Sequence, residues 1–154
     1  MIYVECYADE TLVKVFNIPR RKIVHAHCKG SVCNKLEKTK NSIGLVDEDP
    51  KSAQPSYMSR LIIKSSNCSI KLLFDKRTNN HLIILCPGLE KWILNAAIEA
   101  KIDTDKYELP NDPKRLHAIT GRTKIPDNFE KFLIAIKQSK MMKALEKLVT
   151  GADY

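Results

Sequence analysis

Residues Ile2 to Cys6 (IYVEC) form a short β-prone run with an acid near its end. Behind it, Leu12, Val13 and Phe16 recur at helical spacing, and Asp9 and Glu10 sit where a first helical turn favours negative charge. Pro19 and the basic run Arg20-Arg21-Lys22 end that helix. Ile23 to His27 then predicts a second strand, Ser31 to Lys38 a second helix capped by Gly30 or Ser31, and Ser42 to Asp47 (SIGLVD) a third strand. Strand, helix, strand, helix, strand at this spacing is the rhythm of a parallel sheet.

The polar stretch from Pro50 to Ser59, broken by Pro55, predicts a loop, and Leu61 to Lys64 with Ser69 to Phe74 predict a hairpin. Leu82 to Cys86 (LIILC) is continuously apolar, as expected of a strand covered on both faces. Pro87-Gly88 leads into a helix from Leu89 to about Lys101, whose apolar stripe is Leu89, Trp92, Ile93, Ala96, Ala97 and Ala100. Prolines then punctuate three shorter helices, Pro113 to Ile119, Pro126 to Gln138 and Lys140 to Val149. The expected fold class is α/β. A mostly parallel central sheet flanked by helices occupies residues 1–103, and a helical extension over 104–154 packs on it as part of one unit.

Composition narrows the partner more than the fold. The 154 residues are 44% hydrophobic and 29% charged, which excludes extended disorder and collagen-like structure. A net charge of +8 favours a polyanionic partner. Five cysteines, an odd number with no CxxC pair, predict free thiols and a reducing, cytoplasmic location. No basic segment followed by an apolar one opens the sequence, so no signal peptide is expected, and no apolar run approaches the roughly 20 residues of a membrane span.

The chemistry lies in the acids that follow the strands. In an open parallel sheet, ligands gather at the carboxyl ends of the strands, where the loops diverge. Glu5 follows the first strand, and Asp47 and Asp49 follow the third. Alternation along an extended chain puts Asp47 and Asp49 on one side and Glu48 on the other. Such hard oxygen donors suit Mg²⁺ or Mn²⁺, and a cation would relieve the repulsion of clustered anions. An isolated DxD equally describes solvated loop acids or helix caps.

The ordered set Val4-Glu5-Cys6-Tyr7-Ala8-Asp9-Glu10, Cys28-Lys29-Gly30-Ser31-Val32 and Gly44-Leu45-Val46-Asp47-Glu48-Asp49-Pro50 shifts that balance. It resembles the Toprim domain, the compact α/β fold shared by topoisomerases, bacterial primases and the overcoming-lysogenization-defect nucleases. That family has a Glu after its first apolar strand, often as VEGxxDE, and a DxD ending a later one. The resemblance covers roughly residues 1 to 100, with its motifs in the first fifty, and is closest to small stand-alone or nuclease-associated members. It implies Glu5 as general acid/base or metal ligand, Asp47 and Asp49 as ligands of Mg²⁺ or Mn²⁺, and Asp9 as ligand of a second ion. Two positions depart from the pattern. Cys6 stands where the family has glycine, and Lys51 stands where the longer DxDxD pattern has its third acid.

Further candidates surround this set. Glu90, in the first turn of the helix after the apolar strand, is either a dipole-favoured acid or a ligand of a second cation. Lys29 and Gly30 could offer a cation and free amides to a phosphate, or form a plain turn. His25-x-His27-Cys28 with Cys33 lacks the second ligand pair of a zinc motif. Tyr7 and Tyr57 are conceivable stacking residues, although aromatics at 6% are too few for a base-stacking platform, and the basic runs are either solvated faces or rails for a phosphate backbone. The expected function is metal-dependent phosphoryl transfer on nucleic acid, DNA or RNA, most simply nuclease cleavage. The alternative is a non-catalytic Toprim-like module that binds nucleic acid or docks on an ATPase partner protein. A homodimer is compatible with either.

Overall fold

A computed structural model describes residues 1–152; the last two residues of the expected extension, 153 and 154, lie outside the described residues. The chain is α/β. Its strands are β1 (Ile2–Val4), β2 (Ile23–His25), β3 (Ile43–Asp47), β4 (Ile62–Asn67), β5 (Ile70–Asp75) and β6 (Asn80–Leu85). They form one sheet in the order β2-β1-β3-β6-β5-β4. The first four in that order are parallel, while β5 and β4 run antiparallel, so the expected hairpin forms the sheet's edge. The helices are α1 (Tyr7–Lys14), α2 (Lys29–Glu37), α3 (Leu89–Ala100), α4 (Pro113–Thr120), α5 (Asp127–Ala135) and α6 (Lys140–Thr150). No described helix is long and apolar enough to cross a membrane.

Alternation along the strands divides the core in two. Ile2 and Val4 of β1 join Leu12 and Val13 of α1, Trp92 and Ile93 of α3, and Phe129, Phe132 and Met142 of α5 and α6 in the larger cluster. Tyr3 points the other way, to Val32, Cys33 and Leu36 of α2 and to Leu82 and Ile84 of β6. All six residues of β6 are buried, the polar Asn80 and His81 as well as the apolar run from Leu82 to Leu85. Helices α4 to α6 share their core with the sheet, because Leu116, Phe129 and Leu145 belong to the same cluster as Leu45 and Ile83.

Gly44 shows how closely α2 sits on β3. A Cβ at that position would stand 2.8 Å from both Leu36 Cδ1 and Val32 Cγ1, and 2.9 Å from Leu82 Cδ1. Gly44→Ala therefore overpacks this face and is expected to cost about 1–3 kcal/mol of stability. Urea unfolding would read this as a lower midpoint at unchanged slope.

The chain departs from its sequence pattern at several junctions. The first helix begins at Tyr7, because Cys6 and Asp9 form a reciprocal cap: Asp9 N donates to Cys6 Sγ at 3.4 Å and Cys6 N donates to Asp9 Oδ2 at 3.0 Å. The second strand stops at His25, and His27, with a φ of 74°, turns the chain away. The second helix starts at Lys29 with Cys28 as its cap residue, so Gly30 and Ser31 are already helical. Within the expected loop, Ser56–Arg60 winds into a 3₁₀ turn that buries Tyr57 to 2% exposure. That burial removes Tyr57 from base stacking.

From β1 the chain passes through α1 to β2 on one side, and from β3 it continues to β4–β6 on the other. The strand order thus diverges between β1 and β3. A crevice opens at the carboxyl ends of such neighbours, and this is where a doubly wound sheet takes its ligands.

Candidate active site at the carboxyl edge of β1 and β3

Glu5 is the residue after β1, held between the strand and the cap of α1. Cys6, at φ −137°, is extended backbone that any residue adopts, so its side chain strains nothing at this turn. Asp47 is the last residue of β3, and its backbone N–H donates to Glu5 Oε1 at 3.3 Å. Its side chain reaches across to the next element, where Oδ1 accepts from Leu89 N at 2.9 Å. The cap residue of α3, Gly88, has no side chain to offer, so Asp47 caps this helix from a neighbouring strand. Asp47 Oδ2 faces Gly88, where a Cβ would stand 3.6 Å away.

The two carboxyls open into a pocket of about 810 Å³, lined also by Asp49, by Cys28, Lys29 and Gly30 at the start of α2, by residues 50–55, and by Pro87 and His117. Burial, then the charge of Asp47, pushes the Glu5 carboxyl up to about 7 against the pull of the Asp47 amide and Lys29. Burial and the charge of Glu90 push Asp47 up to about 6, opposed by the Leu89 amide, Lys29 and His117. Asp9 lies behind them, 3% exposed, and is held well above the ordinary carboxylate range by burial and by Asp47. The result is a knot of carboxyls that cannot all ionise together without a counter-charge.

The sequence-predicted residues divide. Glu5, Asp47, Asp49, Lys29 and Gly30 line one pocket. Asp49 does not continue the strand's alternation beside Asp47: β3 has ended, Asp49 has a φ of 39°, and its side chain is exposed at the rim. Asp9 has one oxygen engaged in the α1 cap. Lys29 is 9% exposed, with Nζ donating to Glu48 O at 2.7 Å and to Gln54 Oε1 at 3.1 Å, so its ammonium ties down the loop after β3. Glu48 points away, as alternation predicts, and pairs with Lys71 of β5. Glu90 does not line the pocket; its Oε1 accepts from Thr120 Oγ1 and lies 2.9 Å from His117 Nδ1.

His117 and Thr120 are the residues the sequence did not flag. They stand 27 and 30 positions after Glu90 on α4, in a segment without a motif, and only the docking of that helix brings them to the sheet edge. His25 and His27 stack with ring centroids 4.3 Å apart. Among the described residues, no three His, Cys, Asp or Glu side chains are gathered as they stand to hold a metal ion, there or at the sheet edge. No family model, curated protein or solved structure matches the chain.

Proposed function

We propose that this protein is a Toprim-like enzyme that cleaves phosphodiester bonds of nucleic acid with the help of Mg²⁺ or Mn²⁺. The observation behind this reading is the meeting of Glu5 and Asp47 at the divergence of two adjacent parallel strands, each raised by burial and by a neighbouring carboxylate. The donor chemistry fits a hard cation. Mg²⁺ is commonly held by one or two carboxylates, with water and phosphate oxygens completing its shell, so a gathered cluster of three side chains is not required. Asp47 and Asp49 are the residues that would hold it. When bound, the ion supplies positive charge to the phosphoryl oxygens as negative charge develops on them.

The remaining work falls to the chain's own groups. Glu5, raised to about 7 in the absence of an ion, stands beside Asp47 as the carboxyl placed to give a proton to the oxygen that leaves phosphorus. Lys29 holds the loop that forms one wall and adds positive potential beside Glu5 and Asp47. Exposed Lys51 stands on that wall and offers a cation to a phosphate backbone.

Incubation with single- and double-stranded DNA and with RNA, with Mn²⁺ or with chelator, tests the reading. Cleavage that needs the divalent ion supports it. Calorimetry showing no Mn²⁺ binding at millimolar concentration, with nucleic acid still retained, would replace it by the non-catalytic binding module. That second reading is favoured by Lys51, which stands where the longer acidic pattern has its third carboxylate.

A further inference from the structure

We propose that His117 is the general base of this site and that Glu90 is its positioning residue rather than an ion ligand. The inference rests on the phosphoryl-transfer reading above and assigns the water-activating group that the strand-end acids leave unfilled.

Glu90 Oε1 lies 2.9 Å from His117 Nδ1 and also accepts from Thr120 Oγ1. A carboxylate oxygen is an acceptor, so it fixes the imidazole with its hydrogen on Nδ1 and the lone pair on Nε2. Thr120 is 2% exposed and the Glu90 side chain 15%, so the bond between them is part-buried and anchors the carboxylate, whereas its contact with the 71% exposed His117 side chain is open to solvent. His117 lines the same pocket as Glu5 and Asp47. Nε2 has no hydrogen-bond partner among the described residues. Gly121, the residue that ends α4, leaves this edge of the ring uncovered, since a Cβ there would stand 3.6 Å from Nε2. A base on the wall of the pocket, held at one ring nitrogen by a third group and with the other unbonded among the described residues, is the arrangement that activates a hydroxyl or water nucleophile.

The step balances without a further reactant. Nε2 takes one proton from water as the water oxygen forms its bond to phosphorus. The bond from phosphorus to the leaving oxygen breaks, and that oxygen takes the proton held by Glu5. The imidazolium then returns its proton to solvent.

Two measurements on the full chain test this. In side-chain ¹H–¹⁵N NMR, His117 should show the Nδ1–H tautomer in the wild type and the ordinary Nε2–H tautomer in Glu90→Gln. In Mn²⁺-dependent cleavage, His117→Ala should lose about 10²-fold or more in kcat with little change in KM, and added imidazole should restore part of it. The variant's exposed position leaves folding intact. An unchanged kcat in His117→Ala, or an Nε2–H tautomer in the wild type, overturns the base assignment alone. A wild type that holds the Nδ1–H tautomer but cleaves no nucleic acid overturns the phosphoryl-transfer reading and the base role together.

Discussion

Asp47→Asn should lower divalent-dependent cleavage by at least about 10³-fold and yet make the metal-free protein more stable. The loss follows from removing an ion ligand whose contribution is several kcal/mol, each 1.36 kcal/mol being about tenfold in rate. The gain follows from the geometry. Asn keeps a carbonyl oxygen for Leu89 N, so α3 retains its cap. What disappears is the charge that pushes up Glu5 and Asp9. Cleavage assays across Mn²⁺ concentrations, with thermal unfolding in chelator, measure both effects. A variant that cleaves like the wild type, or that melts earlier in chelator, would remove Asp47 from the role given to it here.

Without a divalent ion, the fold should lose stability as the pH rises from about 4 to about 8. Glu5 moves from an ordinary 4.5 to about 7, and Asp47 from 3.8 to about 6. Across this window the native state holds protons that the unfolded chain has already released, so stability is fully present below the unfolded values and falls as pH climbs through the folded ones. For Glu5 alone the difference amounts to about 3 kcal/mol, or roughly 6–12 °C in Tm for a chain of this size. Mg²⁺ or Mn²⁺ at about 100 times its Kd should return about 2.7 kcal/mol at pH 8. Melting curves at pH 5 and pH 8, with and without Mg²⁺, decide the matter. A Tm insensitive to both pH and ion would contradict the buried carboxyl knot.

Much of the architecture was legible because apolar alternation and helical stripes are local. The apolar run read as a covered strand, which the chain forms over Asn80–Leu85 with Cys86 just outside it, and the stripe from Leu89 to Ala100 read as a helix, since each pattern needs only its own residues. Glu5 and Asp47 were legible as acids after strands, and the neighbour relation of β1 and β3 then brought them together. The first-turn acids Asp9 and Glu10 were legible from their charge, but the cap before them was not: a cysteine sulfur is a weak acceptor, and its reciprocal bond with Asp9 sets the start of α1 at Tyr7. Asp49 shares the pocket with Asp47 as read, but it does so from the exposed rim, because β3 ends at Asp47. Lys29 and Glu90 were seen as residues but not for what they hold, since their partners Gln54, His117 and Thr120 lie 25 to 30 positions away. Contacts of that span belong to tertiary packing, and no short pattern encodes them.

The docking of α4 has a consequence in time. During synthesis the chain emerges from its N-terminal end, so Glu5 and Asp47 leave the ribosome well before residue 117 does. Until α4 settles against α3, the acids have their strands but Glu90 has no imidazole to hold. A growing chain therefore passes through a stage in which the edge acids are present and the His117 side of the pocket is missing. The last wall is set only once α4 has been made and has found the shared core.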